Sequence, residues 1–379
     1  MRIAFNASAL LLPLTGIGQY CKYLLQSLQG EDGINLDMFY AKAWSKNLRL
    51  EPLPASITRF KPIIRRVIPN SYAINRKFQQ FYFSSGVKKN NFDLYHEPNF
   101  LAFDFDGPIV LTVHDLSWIR FPEVHPIERV RAMNKYFESS LRRANIVITD
   151  SEFVKYELMD LFNVDESKIQ PVALGVSAKF RPMSILETQS LLSELKLKYG
   201  EYFLAVGTLE PRKNLKVAIN AYLNLPLKTR QKYPFVLVGM RGWLTDDFYR
   251  KIDPYIASGE IRQLGYLTDD NLVKVVAGSC ALIYPSIYEG FGLPPLEAMA
   301  CAIPVITSNA ASLPEVVKDA GLMFNHDDVD GFSHAMNMTS SSDQFRQSLA
   351  SKSLEQSRLF SWDSCAQGTI NAYKKALEI

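Results

Sequence analysis

The sequence predicts an α/β protein built from two doubly wound, Rossmann-like domains. Three observations carry that prediction. Short apolar, strand-like runs alternate with helix-length stretches along the whole chain, the pattern of parallel sheets covered by helices. The 379 residues exceed what one core organises, at roughly 100–200 residues per domain. The alternation also lapses near Arg181-Pro182 and then restarts, which predicts domains over 1–180 and 181–360.

In the first series, strands are expected at Arg2–Ala7, Ile34–Tyr40, Phe92–His96, Ile109–Val113 and Ile146–Thr149. Helices are expected at Gly18–Leu28, Tyr72–Gly86, Glu128–Arg143 and Glu152–Phe162. The second series has strands near Tyr202–Gly207, Phe235–Gly239, Ile261–Leu264, Ala281–Pro285 and Pro304–Thr307. Helices there include Lys213–Leu223 and Asp269–Ala277. Ligands of such sheets sit beyond the carboxyl ends of the strands, so the deep site is expected in the cleft between the domains.

Composition narrows the class. Hydrophobic residues at 47% and charged residues at 21% are globular values and exclude a disordered chain. A chain of this length buries roughly three quarters of its unfolded surface and needs no disulfide or metal staple. Cys21, Cys280, Cys301 and Cys365 are dispersed without a C-x-x-C pair, which suits a reducing cytoplasm. The apolar run Ala7–Leu14 is too short to span a bilayer. Asn6 interrupts it as a signal core, so Arg2–Ala7 reads as the buried first strand.

Charge is unevenly placed. No acidic residue lies between Glu51 and Asp93, yet Arg59, Lys61, Arg65, Arg66, Arg76, Lys77, Lys88 and Lys89 do. Phe60, Ile63, Ile64, Val67, Ile68, Phe78, Phe81 and Phe83 are interleaved with them. This 59–89 pattern suits an anionic membrane surface, at about 1 kcal/mol per well-placed cation. A solvated helix face with a core stripe is the competing explanation. No nucleic-acid module accompanies the patch, and no nucleic-acid partner is expected.

Five motifs bear on chemistry. Gly16-Ile17-Gly18 follows the first strand and precedes a helix, where backbone amides could approach a phosphate; a plain turn explains it too. A dinucleotide fingerprint would need glycine at Cys21 and an acidic residue after Tyr40, and has neither. Asp104-Phe105-Asp106 matches a cation-holding D-x-D, but Gly107-Pro108 follows and a turn explains it better. Asp246-Asp247, Asp269-Asp270 and Asp327-Asp328 read as helix N-terminal charges. Five scattered histidines show no H-x-x-x-H, and no metal site is expected.

Val113-His114-Asp115 ends an apolar strand in an ionisable pair, at the edge where such sheets present ligand groups. His114 could donate to a substrate hydroxyl, and Asp115 could orient the imidazole or bind acceptor. Gly207-Thr208-Leu209-Glu210-Pro211-Arg212-Lys213-Asn214 ends a strand of the second domain. Arg212 offers a planar fork to phosphate and Lys213 a point charge. Two cations near a helix start conflict with its dipole, a conflict that a bound anion would relieve.

The most specific motif runs from Ile283 to Ala298. Gly290 and Gly292 free a loop to cup a phosphate, and Pro294-Pro295 suits the first helical turn. Glu289 on the loop and Glu297 in the helix lie eight residues apart and can face one cavity without touching.

At these residues the chain resembles the retaining family 4 glycosyltransferases, which have the two-domain GT-B fold. The resemblance runs from Gly16-Ile17-Gly18-Gln19-Tyr20 through His114-Asp115, Thr149-Asp150-Ser151-Glu152-Phe153 and Gly207–Asn214. It continues through the Glu289/Glu297 pair, the E-x7-E of the family, to Thr307–Val316 and Phe360-Ser361-Trp362. It implies that the final helix, within 361–379, crosses back to the first domain. It implies that Arg212 and Lys213 neutralise the leaving diphosphate and that Glu297 holds ribose hydroxyls. Glu289, with the backbone of Gly290, Phe291, Gly292 and Leu293, would position sugar and phosphate. His114 would contact the donor sugar, and the Gly16–Gly18 loop would lie over the diphosphate and acceptor. No cofactor or metal is implied for the transfer, only a nucleotide-sugar substrate.

His114-Asp115-Leu116-Ser117, Phe121-Pro122-Glu123 and His125-Pro126 resemble bacterial mannosyltransferases of surface-polysaccharide assembly. The expected donor is therefore GDP-mannose, with UDP-glucose or another UDP-hexose as the alternative. The expected acceptor is a glycan or a lipid-pyrophosphate-linked glycan at the inner face of the cytoplasmic membrane. A nucleotide-sugar epimerase and a non-catalytic glycan-binding relative are the rival classes. The retained Glu289, Glu297, Arg212 and Lys213 weigh against both.

Overall fold

The protein is seen in a computed structural model, which describes residues 1–11, 16–50, 71–242 and 246–378. It forms two compact units. One comprises Met1–Ile119, His125–Gly175 and Trp362–Ile379; the other comprises Arg120–Val124 and Val176–Ser361.

Among the described residues, the first unit holds a seven-stranded sheet ordered β3-β2-β1-β4-β5-β6-β7. Its strands are β1 (Arg2–Asn6), β2 (Asn35–Tyr40), β3 (Ala43–Ser45), β4 (Leu94–Glu97), β5 (Ile109–Val113), β6 (Ile146–Thr149) and β7 (Ile169–Pro171). All pairings are parallel except β2 with β3. Every residue of β4, β5 and β6 is buried, as befits parallel strands covered on both faces. Helices α1 (Gly16–Leu28), α2 (Ser71–Val87), α3 (Ile127–Arg143) and α4 (Glu152–Phe162) accompany them. The core gathers Phe39, Phe83, Tyr95, Phe103, Trp118 and Phe137. The helix Trp362–Glu378 belongs to this unit: Trp362 stacks on Tyr23 of α1 at 5.4 Å, and Gln170 donates to the Gly368 carbonyl at 2.8 Å.

The second unit holds a six-stranded, fully parallel sheet ordered β10-β9-β8-β11-β12-β13 among the described residues. Its strands are β8 (Phe203–Val206), β9 (Phe235–Val238), β10 (Ile261–Gly265), β11 (Ala281–Tyr284), β12 (Val305–Ser308) and β13 (Leu322–Phe324). Phe203, Tyr222, Phe235, Phe332 and Met336 pack its core. A Cβ at Gly239 would lie 1.9 Å from the Gly207 carbonyl oxygen, so only glycine lets the ends of β8 and β9 come this close.

Each predicted strand is present to within two residues at either end. The strands missed, β3, β7 and β13, are three residues long and lie at sheet edges, where no alternating or continuous apolar run is needed. Two further expectations need correction. Gly16–Gly18 is the first turn of α1 and not a loop before it, with Gly18 buried. Within the basic segment, Phe83 is core and Arg76 is directed inward. Its guanidinium donates to the Leu101 and Ala102 carbonyls at 3.2 and 2.6 Å and lies over the Phe103 and Tyr136 rings. Arg59, Lys61, Arg65 and Arg66 lie outside the described residues. No helix of the described residues is long and apolar enough to cross a membrane.

Candidate active site

The carboxyl edge of the second sheet carries a cluster of buried charges. Past β8, Pro211–Lys213 forms a tight turn, and Asn214 takes a left-handed conformation (φ 52°) before helix α5, Leu215–Leu223. Asn214 Nδ2 donates to the Pro285 carbonyl at 3.1 Å, and the Ile287 amide donates to the Arg212 carbonyl at 3.0 Å. The turn is thereby fastened to the segment beyond β11. That segment runs to helix α6, Leu293–Ala300, whose cap Gly292 has φ 116°. A Cβ there would meet Leu313 Cδ2 at 2.8 Å. Buried Ser312, beyond β12, donates to the Glu289 and Phe291 carbonyls at 2.9 Å each and holds the loop from a third side.

Inside this frame the charges pair. Glu289 accepts from Lys213 Nζ at 2.6 Å and from Arg212 Nη1 at 3.1 Å. Glu210 takes the other side of the guanidinium, its Oε1 alone receiving Nε at 3.1 Å and Nη2 at 2.9 Å. Arg212 also donates to the Tyr288 carbonyl at 2.7 Å, and Lys213 to the Tyr284 hydroxyl at 2.7 Å. Burial pushes the Glu289 carboxyl up, but Lys213 and Arg212 outweigh it and hold the pKa at about 2. Burial lowers Lys213, with Arg212 adding to that and Glu289 opposing it. Glu210 and Glu289 thus offset part of the expected conflict between adjacent cations and a helix start.

Glu297 differs. It is half-buried on α6, and among the described residues no hydrogen bond or ion pair reaches its carboxylate. Burial first, and the charge of Asp269 second, push its pKa up to about 8. A carboxylate that is costly to ionise and has no donor is ready for a ligand that brings hydroxyl groups.

The carboxyl edge of the first sheet carries a second cluster, where β4, β5 and β6 end side by side. His114, just past β5, holds Asp150 Oδ2 through Nδ1 at 2.8 Å and the Pro98 carbonyl through Nε2 at 2.9 Å. Burial opposes charge on this imidazole, but Asp150 and the Pro98 carbonyl outweigh it and raise the pKa. With acceptors facing both nitrogens, His114 is clamped from two sides in a geometry that favours the protonated ring. Tyr20 of α1 meets its ring edge-on at 4.9 Å, so the Gly16–Tyr20 turn and His114 share one locality.

Two expectations about this pair change. Asp150, and not Asp115, orients the imidazole; Asp115 Oδ1 accepts from the Ser117 amide and hydroxyl at 3.0 and 2.7 Å. Both His114 nitrogens are engaged within the protein, so neither is open to a donor sugar while these bonds last. Asp104 pairs with Arg143 at 2.7 Å on an exposed turn. The acidic pairs Asp269-Asp270 and Asp327-Asp328 fall at helix N-termini. Asp246-Asp247 opens the helix Asp246–Ser258.

Sequence reasoning gave no role to Glu210, Ser312 or Asp150. Asp150 follows β6 as His114 follows β5, and that strand-end pattern was its signal. Ser312 carried none, because its partners are more than twenty residues away in sequence, and Glu210, two residues from Arg212, reads only as part of the turn.

Comparison with known proteins places this geometry. Residues 14–180 match the family described as Glycosyltransferase Family 4, and residues 193–356 match Glycosyl transferases group 1. The chain is 36% identical to the O-antigen chain mannosyltransferase B of Escherichia coli, over 99% of this chain and 100% of that one. Sucrose-phosphate synthase from Thermosynechococcus elongatus superposes with a TM-score of 0.77 at 18% identity, covering 98% of each chain. Anabaena HepE in complex with UDP and glucose does so at 0.72 and 16% identity, covering 99% of each. The chain belongs to the family 4 glycosyltransferases and has their GT-B fold of two Rossmann-like domains.

Proposed function

We propose that the protein transfers mannose from GDP-mannose, with retention, to a glycan or lipid-pyrophosphate-linked glycan during surface-polysaccharide assembly. The observation that supports it most is the match along essentially the full chain to an O-antigen chain mannosyltransferase. In this reading Arg212 and Lys213 meet the donor diphosphate and stabilise the charge that grows on it as the glycosidic bond breaks. Glu289 holds both cations in place beforehand, and with the Gly290–Leu293 backbone it positions sugar and phosphate. Glu297 accepts the ribose hydroxyls. The clamped His114 adds positive charge and shape near the acceptor side, with Asp115 beside it. The Gly16–Gly18 turn offers the start of α1 to phosphate. The residues named need no metal for this chemistry.

Calorimetric titration with GDP-mannose, UDP-glucose and UDP-GlcNAc, without added metal, tests the donor. Selective GDP-mannose binding is expected, whereas selective UDP-sugar binding overturns the donor assignment while leaving the site. Glu297→Ala weakens donor binding by about 1.5–3 kcal/mol, the scale for hydrogen bonds to a charged group. Unchanged affinity in the folded variant removes Glu297 from the site.

A peripheral contact with anionic lipid is a second reading, favoured by one face of α2. Phe78, Phe81 and Tyr82 are 60%, 69% and 40% exposed, beside exposed Lys77 and ahead of Lys88 and Lys89. Spacings of three and four residues put these rings on one stripe, and no acidic side chain lies between Glu51 and Asp93 to repel lipid phosphate. Vesicles containing phosphatidylglycerol should bind the protein, and Phe81→Ser with Lys77→Ser should release it. Equal binding of the variant overturns this reading.

A further inference from the structure

Glu97, at the end of β4, is 1% exposed and takes no part in the chemistry assigned above. Three donors from three places converge on it. Asn6, ending β1, donates through Nδ2 to Oε2 at 2.7 Å. The Tyr95 hydroxyl donates to the same oxygen at 2.5 Å. The Asn99 amide donates to Oε1 at 3.0 Å.

Each tie reaches further. Asn6 Oδ1 accepts from the Ser8 amide and hydroxyl at 3.2 and 2.7 Å, so Glu97 anchors the first residues of the connection that leads from β1 to α1. Between Glu97 and Asn99 stands Pro98, whose carbonyl receives His114 Nε2 at 2.9 Å. One carboxylate therefore fixes both the support under the imidazolium and the beginning of the connection to Gly16–Gly18.

We propose that Glu97 is a positioning residue for glycosyl transfer: by accepting from Asn6 and Asn99 at once, it holds the Pro98 carbonyl against His114 and fixes Asn6 and, just past β1, Ser8 in the same network. This rests on the reading of His114 as part of the transfer site. Ionisation is the handle on it. Burial pushes the Glu97 pKa up to about 7, against the pull of Tyr95, Asn6, Arg76 and Asn99. The groups facing it are Arg76 from α2, Cys21 from α1 and Tyr95 from its own strand. The adjacent His96, held between Tyr373 and Thr112, is pushed down to about 3 and stays neutral. Protonating Glu97 removes the negative charge that strengthens the bonds from Asn6 and Asn99, so the Pro98 support loosens as pH falls through about 7.

The test uses the full chain with ring-15N histidine, whose five imidazoles are followed by long-range 1H–15N correlation from about pH 5.5 to 8.5. His114→Asn identifies the His114 signals. In the unsubstituted protein these signals are expected to show an inflection near pH 7 that Glu97→Gln abolishes and Glu97→Asp partly restores. A carboxylate that merely stabilises the fold would leave His114 unmoved, so superimposable His114 titrations in Glu97→Gln and the unsubstituted protein overturn the proposal. Transfer from GDP-mannose to a synthetic α-mannoside supplies the second readout. Glu97→Gln is expected to lower kcat about 10- to 100-fold, the scale of an ångström-level misplacement, and to lose the acid limb of the pH profile with KM for GDP-mannose little changed. If His114→Asn transfers at the full rate, the reading of His114 fails. If His114→Asn is crippled while Glu97→Gln keeps the full rate and profile, only the role of Glu97 fails. Should Glu97→Gln not fold, the inflection in the unsubstituted protein and the Glu97→Asp titration decide.

Discussion

The two sheets end in polar clusters that solve the burial of charge in opposite ways. In the second unit, Arg212 and Lys213 face Glu210 and Glu289, two cations against two carboxylates, and Glu289 sits at about pKa 2. Glu289 therefore keeps its charge at any pH a cell encounters. In the first unit, the His114 imidazole, its pKa raised, shares one carboxylate, and Glu97 stands near pKa 7 with hydrogen bonds but, among the described residues, no salt bridge. Charge there follows pH. A site that must receive a diphosphate benefits from cations already fixed in place, since little reorganisation remains when the ligand arrives. Glu97 in the first cluster is held by neutral donors, and so this is the part of the molecule that acidification can loosen.

The comparison is broken most strongly at Arg212. Arg212→Ala leaves Glu210 buried without the guanidinium and Glu289 with Lys213 as its remaining cation, and it should lower the stability of the second unit by about 3–5 kcal/mol in urea unfolding. Arg212→Lys should recover little, because an ammonium cannot serve two carboxylates and the Tyr288 carbonyl together. A loss under about 1 kcal/mol would mean that water, and not the ion pairs, compensates these charges.

Asp150→Asn addresses the first unit and should cost about 1.5–3 kcal/mol near pH 6. The sign follows from the His114 pKa, which is raised by folding. Its contribution is fully present below the unfolded value of about 6.5 and is lost as pH rises through the folded value. The penalty of the variant should therefore shrink by pH 9, and a penalty constant from pH 6 to 9 would show that His114 is not charged.

Glu297→Gln has the smallest effect on stability and the opposite direction. The folded pKa of about 8 exceeds the ordinary 4.5, so the native state binds the extra proton between these values. Native stability should fall as pH rises across that window and level off above it. Glu297→Gln removes that slope and should gain about 1–2 kcal/mol on the unsubstituted protein between pH 5 and 9, less than the full shift because the group is half-buried. Parallel unfolding curves for the two proteins at both pH values would place Glu297 in water.

Much of this was legible beforehand, and the reason differs by residue. Ile109–Val113 and Ile146–Thr149 announce themselves because burial on both faces demands uninterrupted apolar runs. The Glu289–Glu297 spacing is readable because loop, cap and helix are consecutive in the chain. The partner of His114 is Asp150, whereas the sequence offered its neighbour Asp115 as one that could orient the imidazole or bind acceptor. Residues on adjacent strands meet through sheet register, and β5 pairs with β6 so that Val113 lies beside Thr149, placing the residues that follow side by side. Arg76 shows the same limit: its charge is plain in the sequence, while its inward direction depends on the carbonyls of Leu101 and Ala102.

Local chemistry, written consecutively, thus determined the apolar strands, the glycine-capped α6, the cations of the Arg212-Lys213 turn and the Glu289–Glu297 spacing. The tertiary structure alone decided which of these charges would be satisfied. Glu289 and Glu297 are the same residue type eight positions apart, yet one is held ionised by two cations and the other is pushed toward neutrality. Pairing depends on distances of a few ångströms between segments tens of residues apart, which only the packed sheets set.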